Sequence, residues 1–270
     1  MERRGPLEVS TQTMTSSPTD RELEELLALA TNLALDAGQI HERREMGVAE
    51  TKSSITDPVT AVDKEAEEFI SQEIRKARPD DGIIGEEETS VAGSSGLRWV
   101  IDPLDGTVNY LYQYPSYAVS IGIERDGSPL VGVVYDSVRG LLYAARAGAA
   151  ATRNGKPISA TNCPNLPEAL LGTGFSYQPS IRAEQALRVA KLLPRVRDIR
   201  RSGSCAIDLC SVAAGHLDAF YETDVNWWDV AAGIQIVRSA GGIATYEPQP
   251  KRIIASGSQL WDQLNQAIFE

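Results

Sequence analysis

One stretch constrains the fold more than any other: Trp99-Val100-Ile101-Asp102-Pro103-Leu104-Asp105-Gly106-Thr107-Val108-Asn109-Tyr110. Trp99, Val100 and Ile101 read as a buried strand that ends abruptly at Asp102-Pro103. Two carboxylates then stand three positions apart, with a proline between them and a glycine directly after. Proline fixes φ and removes a donor; glycine admits left-handed or crowded backbone. Two acids on a stiff turn at the end of a buried strand suit a hard cation better than open solvent. Thr107 follows at an expected helix start, where free N–H groups attract anions. A cation site beside an anion site points to metal-assisted phosphate chemistry.

Upstream, Thr19-Asp20-Arg21-Glu22 has capping-box spacing. Leu23, Leu26, Leu27, Ala30, Leu33, Ala34 and Ala37 then predict an amphipathic helix running to about Glu45. His41, near its end, reads as a surface or capping residue. Thr60 and Asp63 have N-cap and N3 spacing ahead of a second helix, whose apolar face is Val62, Ala66, Phe69, Ile70, Ile74 and Ala77. Ile83-Ile84 is a short strand, and Gly85-Glu86-Glu87-Glu88 places one or two acids at its end. Glu88 reads as solvated, and Glu87 as structural or as support for a metal ligand.

Downstream to Asn154-Gly155, closely spaced strands and hairpin turns predict an antiparallel meander. Beyond Pro157, Pro164 and Pro167, helices and strands alternate, which predicts a layered, largely parallel sheet. The expected organisation is a loose tail over 1–18, an α+β half over 19–160 and an α/β half over 161–270. Together these form an α+β, layered αβαβα sandwich with an antiparallel N-terminal sheet and a mixed, mostly parallel C-terminal one. In the second half, Asp218 to Glu222 is a strand ending in an acid, and Trp227-Trp228-Asp229 opens a small-residue helix.

Charge narrows the function classes. A net charge of −11 argues against a nucleic-acid-binding surface as the main purpose. Cys163, Cys205 and Cys210 form neither a disulfide framework nor a zinc pattern, which suits a reducing cytoplasm. Cys210 reads as core. Two histidines, His41 and His216, leave little for a Ser-His-Asp triad, and His216 reads as surface. No apolar run approaches a membrane span, and Arg3-Arg4 has no apolar stretch behind it. Tyr110, Tyr112, Tyr114 and Tyr117 read as a packed wall or a subunit interface. Arg200-Arg201 reads as a contact residue pair or a strand flank.

Taken together these residues resemble the inositol monophosphatase family of metal-dependent, lithium-sensitive sugar phosphatases. The resemblance covers residues 20–265 in order. It rests on Gly85-Glu86-Glu87, on Trp99 to Asn109 (family form W-x-I-D-P-[IL]-D-G-T-x-N-[FY]), on Thr60-Ala61-Val62-Asp63, and on Trp228-Asp229-Val230-Ala231-Ala232-Gly233. The resemblance implies that Glu86, Asp102, Asp105, Asp229 and the Leu104 carbonyl are metal ligands for two to three Mg²⁺ per site, with Mn²⁺ an alternative. It implies that Asp63 and Thr107 orient and deprotonate the attacking water, with Glu86 also catalytic through a third metal. Gly106 and Thr107 would give backbone donors to the phosphate, and Gly203, Ser204, Cys205, Glu222 and Asp229 would line the substrate side. Cys205 stands where the family commonly has alanine. Lys52 matches a family position near the metals, where a cation could steer substrate; it reads equally as a solvated lysine. The implied activity is hydrolysis of myo-inositol 1-phosphate by a phosphoric monoester hydrolase, in a cytoplasmic homodimer. Fructose 1,6-bisphosphate and other sugar, histidinol or nucleotide phosphates are the alternative substrates. A regulatory protein that binds RNA or the transcription machinery is the alternative of a different class.

Overall fold

The computed structural model describes residues 18–42, 50–51, 58–87 and 89–270. In chain order its elements are α1 (Asp20–Glu42), β1 (Glu50–Thr51), β2 (Pro58–Val59), α2 (Ala61–Ala77), β3 (Gly82–Gly85), β4 (Ser90–Val91), β5 (Arg98–Asp105), α3 (Thr107–Leu111), β6 (Ala118–Arg125), β7 (Ser128–Asp136), β8 (Leu141–Arg146), β9 (Thr152–Arg153), β10 (Lys156–Pro157), β11 (Leu170–Thr173), α4 (Pro179–Leu192), β12 (Asp198–Arg200), α5 (Cys205–Ala213), β13 (Ala219–Thr223), α6 (Trp227–Ser239), β14 (Gly242–Pro248), β15 (Lys251–Gly257) and α7 (Trp261–Phe269). The expected tail up to Ser17, Lys52, Glu88 and any extension of the first helix past Glu42 lie outside the described residues.

Five layers result. α1 and α2 cover one face of an eight-stranded sheet ordered β10-β9-β8-β7-β6-β5-β3-β4. α5 and α6 fill the space between that sheet and a five-stranded one ordered β12-β11-β13-β15-β14. α4 and α7 close the outer face. The period of two decides which layer each side chain joins. On β13, Phe220 faces α5 and α6, whereas Ala219 and Tyr221 face α7. On β7, Val134 faces the middle layer and Val133 the outer helices.

Two pairings refine the expected sheets. In the first, β3 runs parallel to β5, so the antiparallel meander carries one parallel pair, next to the edge strand β4. A helix-length crossover, α2, precedes β3, and β4 returns the chain so that β5 can enter in the same direction. In the second, β11 pairs parallel with β12 and β13, while β15 pairs antiparallel with β13 and β14. The share is even rather than mostly parallel, because the β14–β15 hairpin inserts its second strand beside β13.

α6 sits very close to the first sheet. A Cβ on Gly132 would lie 2.3 Å from the Ala232 carbonyl oxygen, and one on Gly122 would lie 3.0 Å from the Ala231 Cβ. Glycine on the strands and alanine on the helix are what permit this approach. Glu124 ties the same surfaces: its buried carboxylate accepts from Trp227 Nε1 at 2.7 Å and from Arg98 Nε at 2.6 Å.

Candidate active site

The strand predicted to stop at Asp102 instead continues through a bulge. Asp102 pairs with Ser120 and Asp105 with Ala118, so β5 spends one residue more than β6 between the two pairings. Residues three apart on a regular strand point to opposite faces; one inserted residue brings them to the same face. Asp102 and Asp105 therefore both line one cavity of about 380 Å³. Gly106 follows at φ 99°, where an added Cβ would meet the Ser116 carbonyl oxygen at 2.9 Å. Only glycine suits that corner. It caps α3 and places Thr107 at the first helical position.

Three other segments complete the wall. Glu86 comes from the end of β3, held by Glu67, whose carboxylate accepts from the Glu87 and Thr89 N–H groups at 2.7 and 3.0 Å. Gly203, Ser204 and Cys205 come from the start of α5. There the Ser204 hydroxyl donates to Asp105 at 2.6 Å, and the Ala206 and Cys205 N–H groups donate to it at 2.6 and 3.3 Å. Glu222 is the next-to-last residue of β13, and Asp229 sits in the first turn of α6, taking the Asn226 N–H at 2.5 Å.

Asp63 stands behind this wall, fully buried at 0% exposure. The Thr60–Asp63 cap forms as its spacing predicts, with the Thr60 N–H and hydroxyl both donating to one Asp63 oxygen. The other oxygen accepts from Thr107 Oγ1 at 2.9 Å, and the same hydroxyl lies 3.1 Å from the Leu104 carbonyl oxygen. Asp63 thus both caps α2 and accepts the Thr107 hydrogen bond. Burial raises its pKa against the opposing pull of Thr60 and Thr107.

At the end walled by Glu86, Asp102, Asp105 and Asp229 the cavity is an acid cluster, while its two lining cations, Arg201 and Lys251, stand with Glu222 and Asp208. Burial first, then the charges of Glu86, Asp105 and Asp229, pushes Asp102 well above the carboxylate range. Burial and the charges of Glu86 and Asp105 do the same to Asp229. Asp105 rises to about 6 through burial, despite the donors from Ser204 and Ala206. Glu86 stands close enough to Asp102 to be the largest single charge opposing its ionisation. Among the described residues no three such side chains close into a ready coordination shell. The fit to a metal rests on donor chemistry: oxygen ligands only, buried at Asp102 and Asp105 and half-buried at Glu86 and Asp229, and mutually repelling until a hard cation neutralises them.

The Glu222 end of the cavity adds Asp208, Lys251 and Asp224, which the sequence did not single out, beside Arg201, which it weighed as a contact residue. Burial raises Glu222 to about 8 and Asp208 to about 7. Asp208 had a legible signal: it lies four residues after Ser204, hence on the same helix face. Lys251 and Asp224 had none, since Lys251 opens β15 and Asp224 follows β13, and only the pairing of those strands in the second sheet brings them to the pocket. Cys205 is buried, and burial with Glu222 beside it pushes its thiol well up, so it is an unreactive wall residue.

His41 is the clearest departure from expectation. It is not on the surface but 1% exposed, because the last turn of α1 packs against the Asp102-Pro103-Leu104 turn. Burial lowers its pKa to about 4, which keeps the ring neutral. Its neighbours Tyr110 and Tyr117 are packed, while Tyr112 and Tyr114 are 83% and 54% exposed. Cys210 is buried and His216 exposed, as expected. No described helix is long and apolar enough to cross a membrane.

Comparison with known proteins supplies independent support. The model of the inositol monophosphatase family matches residues 22–267. An inositol-1-monophosphatase SuhB of Mycobacterium tuberculosis is 41% identical over 243 residues, covering 82% of this chain and 84% of that protein. A protein named Nus factor SuhB from Xylella fastidiosa is 45% identical over 192 residues, covering 71% and 70%. The solved structure of inositol monophosphatase from Anabaena superimposes with a TM-score of 0.81 at 35% identity, covering 92% of this chain and 96% of that one. Matches of this extent, over the same segments that build the cavity, make the chain a member of the inositol monophosphatase family.

Proposed function

We propose that this chain is a metal-dependent phosphomonoesterase that hydrolyses a small polyol phosphate, with myo-inositol 1-phosphate the first candidate. The observation that carries the reading is the Asp63–Thr107 pair, joined at 2.9 Å directly behind a cavity walled by Glu86, Asp102, Asp105 and Asp229. An acidic wall repels a phosphate dianion, so the cavity makes chemical sense only with cations in it. Glu86, Asp102, Asp105, Asp229 and the Leu104 carbonyl would hold two to three Mg²⁺, or Mn²⁺ in their place. When bound, such ions neutralise phosphate charge and acidify the attacking water.

The chain's own residues do the rest. Thr107 Oγ1 takes a proton from water as it gives its own to Asp63, whose raised pKa suits a general base. The Gly106 and Thr107 N–H groups face the phosphate, and Gly203, Ser204, Cys205, Glu222 and Asp229 receive the polyol. A lithium-sensitive, cytoplasmic homodimer belongs to the same reading. The test is phosphate release with Mg²⁺ from inositol 1-phosphate, fructose 1,6-bisphosphate, histidinol phosphate and 3′-phosphoadenosine 5′-phosphate. Turnover of the first above the others is the expected result, and turnover of none would sink the reading.

A second reading, a transcription-related role, is favoured by the relative named as a Nus factor. Asp105→Asn separates the two. It should abolish phosphate release and leave the melting curve intact, and a cellular phenotype that survived it would belong to the binding role.

A further inference from the structure

His41 is a buried polar side chain that the proposed chemistry does not use. Its Nε2 lies 2.9 Å from the Pro103 carbonyl oxygen and its Nδ1 2.8 Å from Ser137 Oγ. A carbonyl oxygen only accepts, so Nε2 carries the proton and Nδ1 receives the Ser137 hydroxyl. Tyr110 and Tyr117 stand on the ring, with centroids at 6.3 and 5.9 Å, and meet each other edge-on at 5.3 Å. Ring, tautomer and direction are all fixed by these four neighbours.

The carbonyl that His41 holds belongs to the bulge. Pro103 and Leu104 fall between the paired residues Asp102 and Asp105 and have no ladder partner on β6. Proline brings no N–H of its own, and the Leu104 N–H is turned onto Asp102 Oδ1 at 3.1 Å. The donor for the buried Pro103 carbonyl therefore comes from outside the sheet, from the last turn of α1.

We infer that His41 is a positioning residue: by donating from Nε2 to Pro103 it holds the bulge that turns Asp102, the Leu104 carbonyl and Asp105 toward the cavity. The inference rests on the reading of those three as metal ligands. It adds an outer partner, drawn from α1, that sets how well they receive a cation.

The test titrates Mg²⁺ calorimetrically into the metal-stripped full chain, beside thermal melts and the Mg²⁺ dependence of phosphate release. His41→Gln extends an amide N–H to roughly the Nε2 position, whereas His41→Asn stops short of Pro103. His41→Asn should weaken Mg²⁺ binding about tenfold, the low end for loss of an outer partner of a metal ligand, while His41→Gln stays near wild type. Activity of His41→Asn at saturating Mg²⁺ should stay within about threefold of wild type, because no reacting atom is touched. Equal Mg²⁺ affinity in the two variants, both folded, overturns the inference. Should His41→Asn fail to fold, Ser137→Ala takes its place by releasing the Nδ1 side of the ring, and there too an unchanged affinity overturns it. Wild-type protein that binds no Mg²⁺ sinks the metal-site reading itself, a result seen before any variant is compared.

Discussion

Two populations of buried acid divide the molecule. Asp81, Asp136 and Glu67 are supplied with donors on the spot. Asp81 accepts from Arg78 and the Trp99 indole, each at 2.9 Å. Asp136 takes the Val138 and Arg139 N–H groups and the Arg139 guanidinium. Glu67 takes two N–H groups from the strand-end loop. Asp102, buried, and Asp229, half-buried in the cavity wall, receive one backbone donor each and face other acids. Burial of a charge without compensation is costly, so the first group maintains the fold while the second opposes it. A chain that keeps the second group keeps it for a ligand.

The comparison breaks most visibly at Asp229→Asn. Phosphate release from inositol 1-phosphate should fall by about 10³-fold or more, as for loss of a group that stabilises transition-state charge. The melting temperature should hold or rise, because one repelling charge is gone. Asp63→Asn tests the residue that belongs to both populations. The amide still caps α2, so the fold should stand, while the rate drops about 10²-fold with the lost base. Thr107→Ala should match that loss and Thr107→Ser should recover most of it.

Asp136→Ala should do the reverse of Asp229→Asn. It strands two N–H groups and a guanidinium, so urea unfolding should show a loss of about 2 kcal/mol. kcat/KM should stay unchanged.

The smallest effect sharpens the comparison through pH. Glu222 at about 8 and Asp208 at about 7 stand above their ordinary 4.5 and 3.8 because burial resists their charge. The folded chain binds these protons more tightly than the unfolded one. The stability they contribute is therefore complete below about pH 4 and is lost as pH rises through 7 to 8. His41, lowered to about 4, opposes this only below its ordinary 6.5. Metal-free protein should melt a few degrees higher near pH 6.5 than near pH 8.5, and Glu222→Gln should flatten that slope.

What could be read in advance followed from locality. The Asp102 to Thr107 run carries its acids, proline, glycine and hydroxyl side by side, so its chemistry is visible without a fold. The Thr60–Asp63 cap needs only three residues of spacing, and Ser204 declares its helix start in the same way. His41 was misread because a polar residue at a helix end is ordinarily wet, and its partner Pro103 lies 62 positions away. The parallel β3–β5 pair has a related cause: hairpin turns announce antiparallel neighbours, whereas parallel pairing leaves no local mark. The bulge was invisible too, since it exists only in the register against β6.

The tight seat of α6 on the first sheet has a consequence far from any acid. Ala232, whose carbonyl oxygen meets Gly132, lies three residues along the helix from Asp229, about one turn. A single methyl group at Gly132 would act as a shim under that helix. It would lift the turn that carries Asp229 while every cavity residue kept its identity. The geometry of the pocket is thus set partly by an empty space on the back of a strand, and a sequence comparison confined to the acids would miss the change.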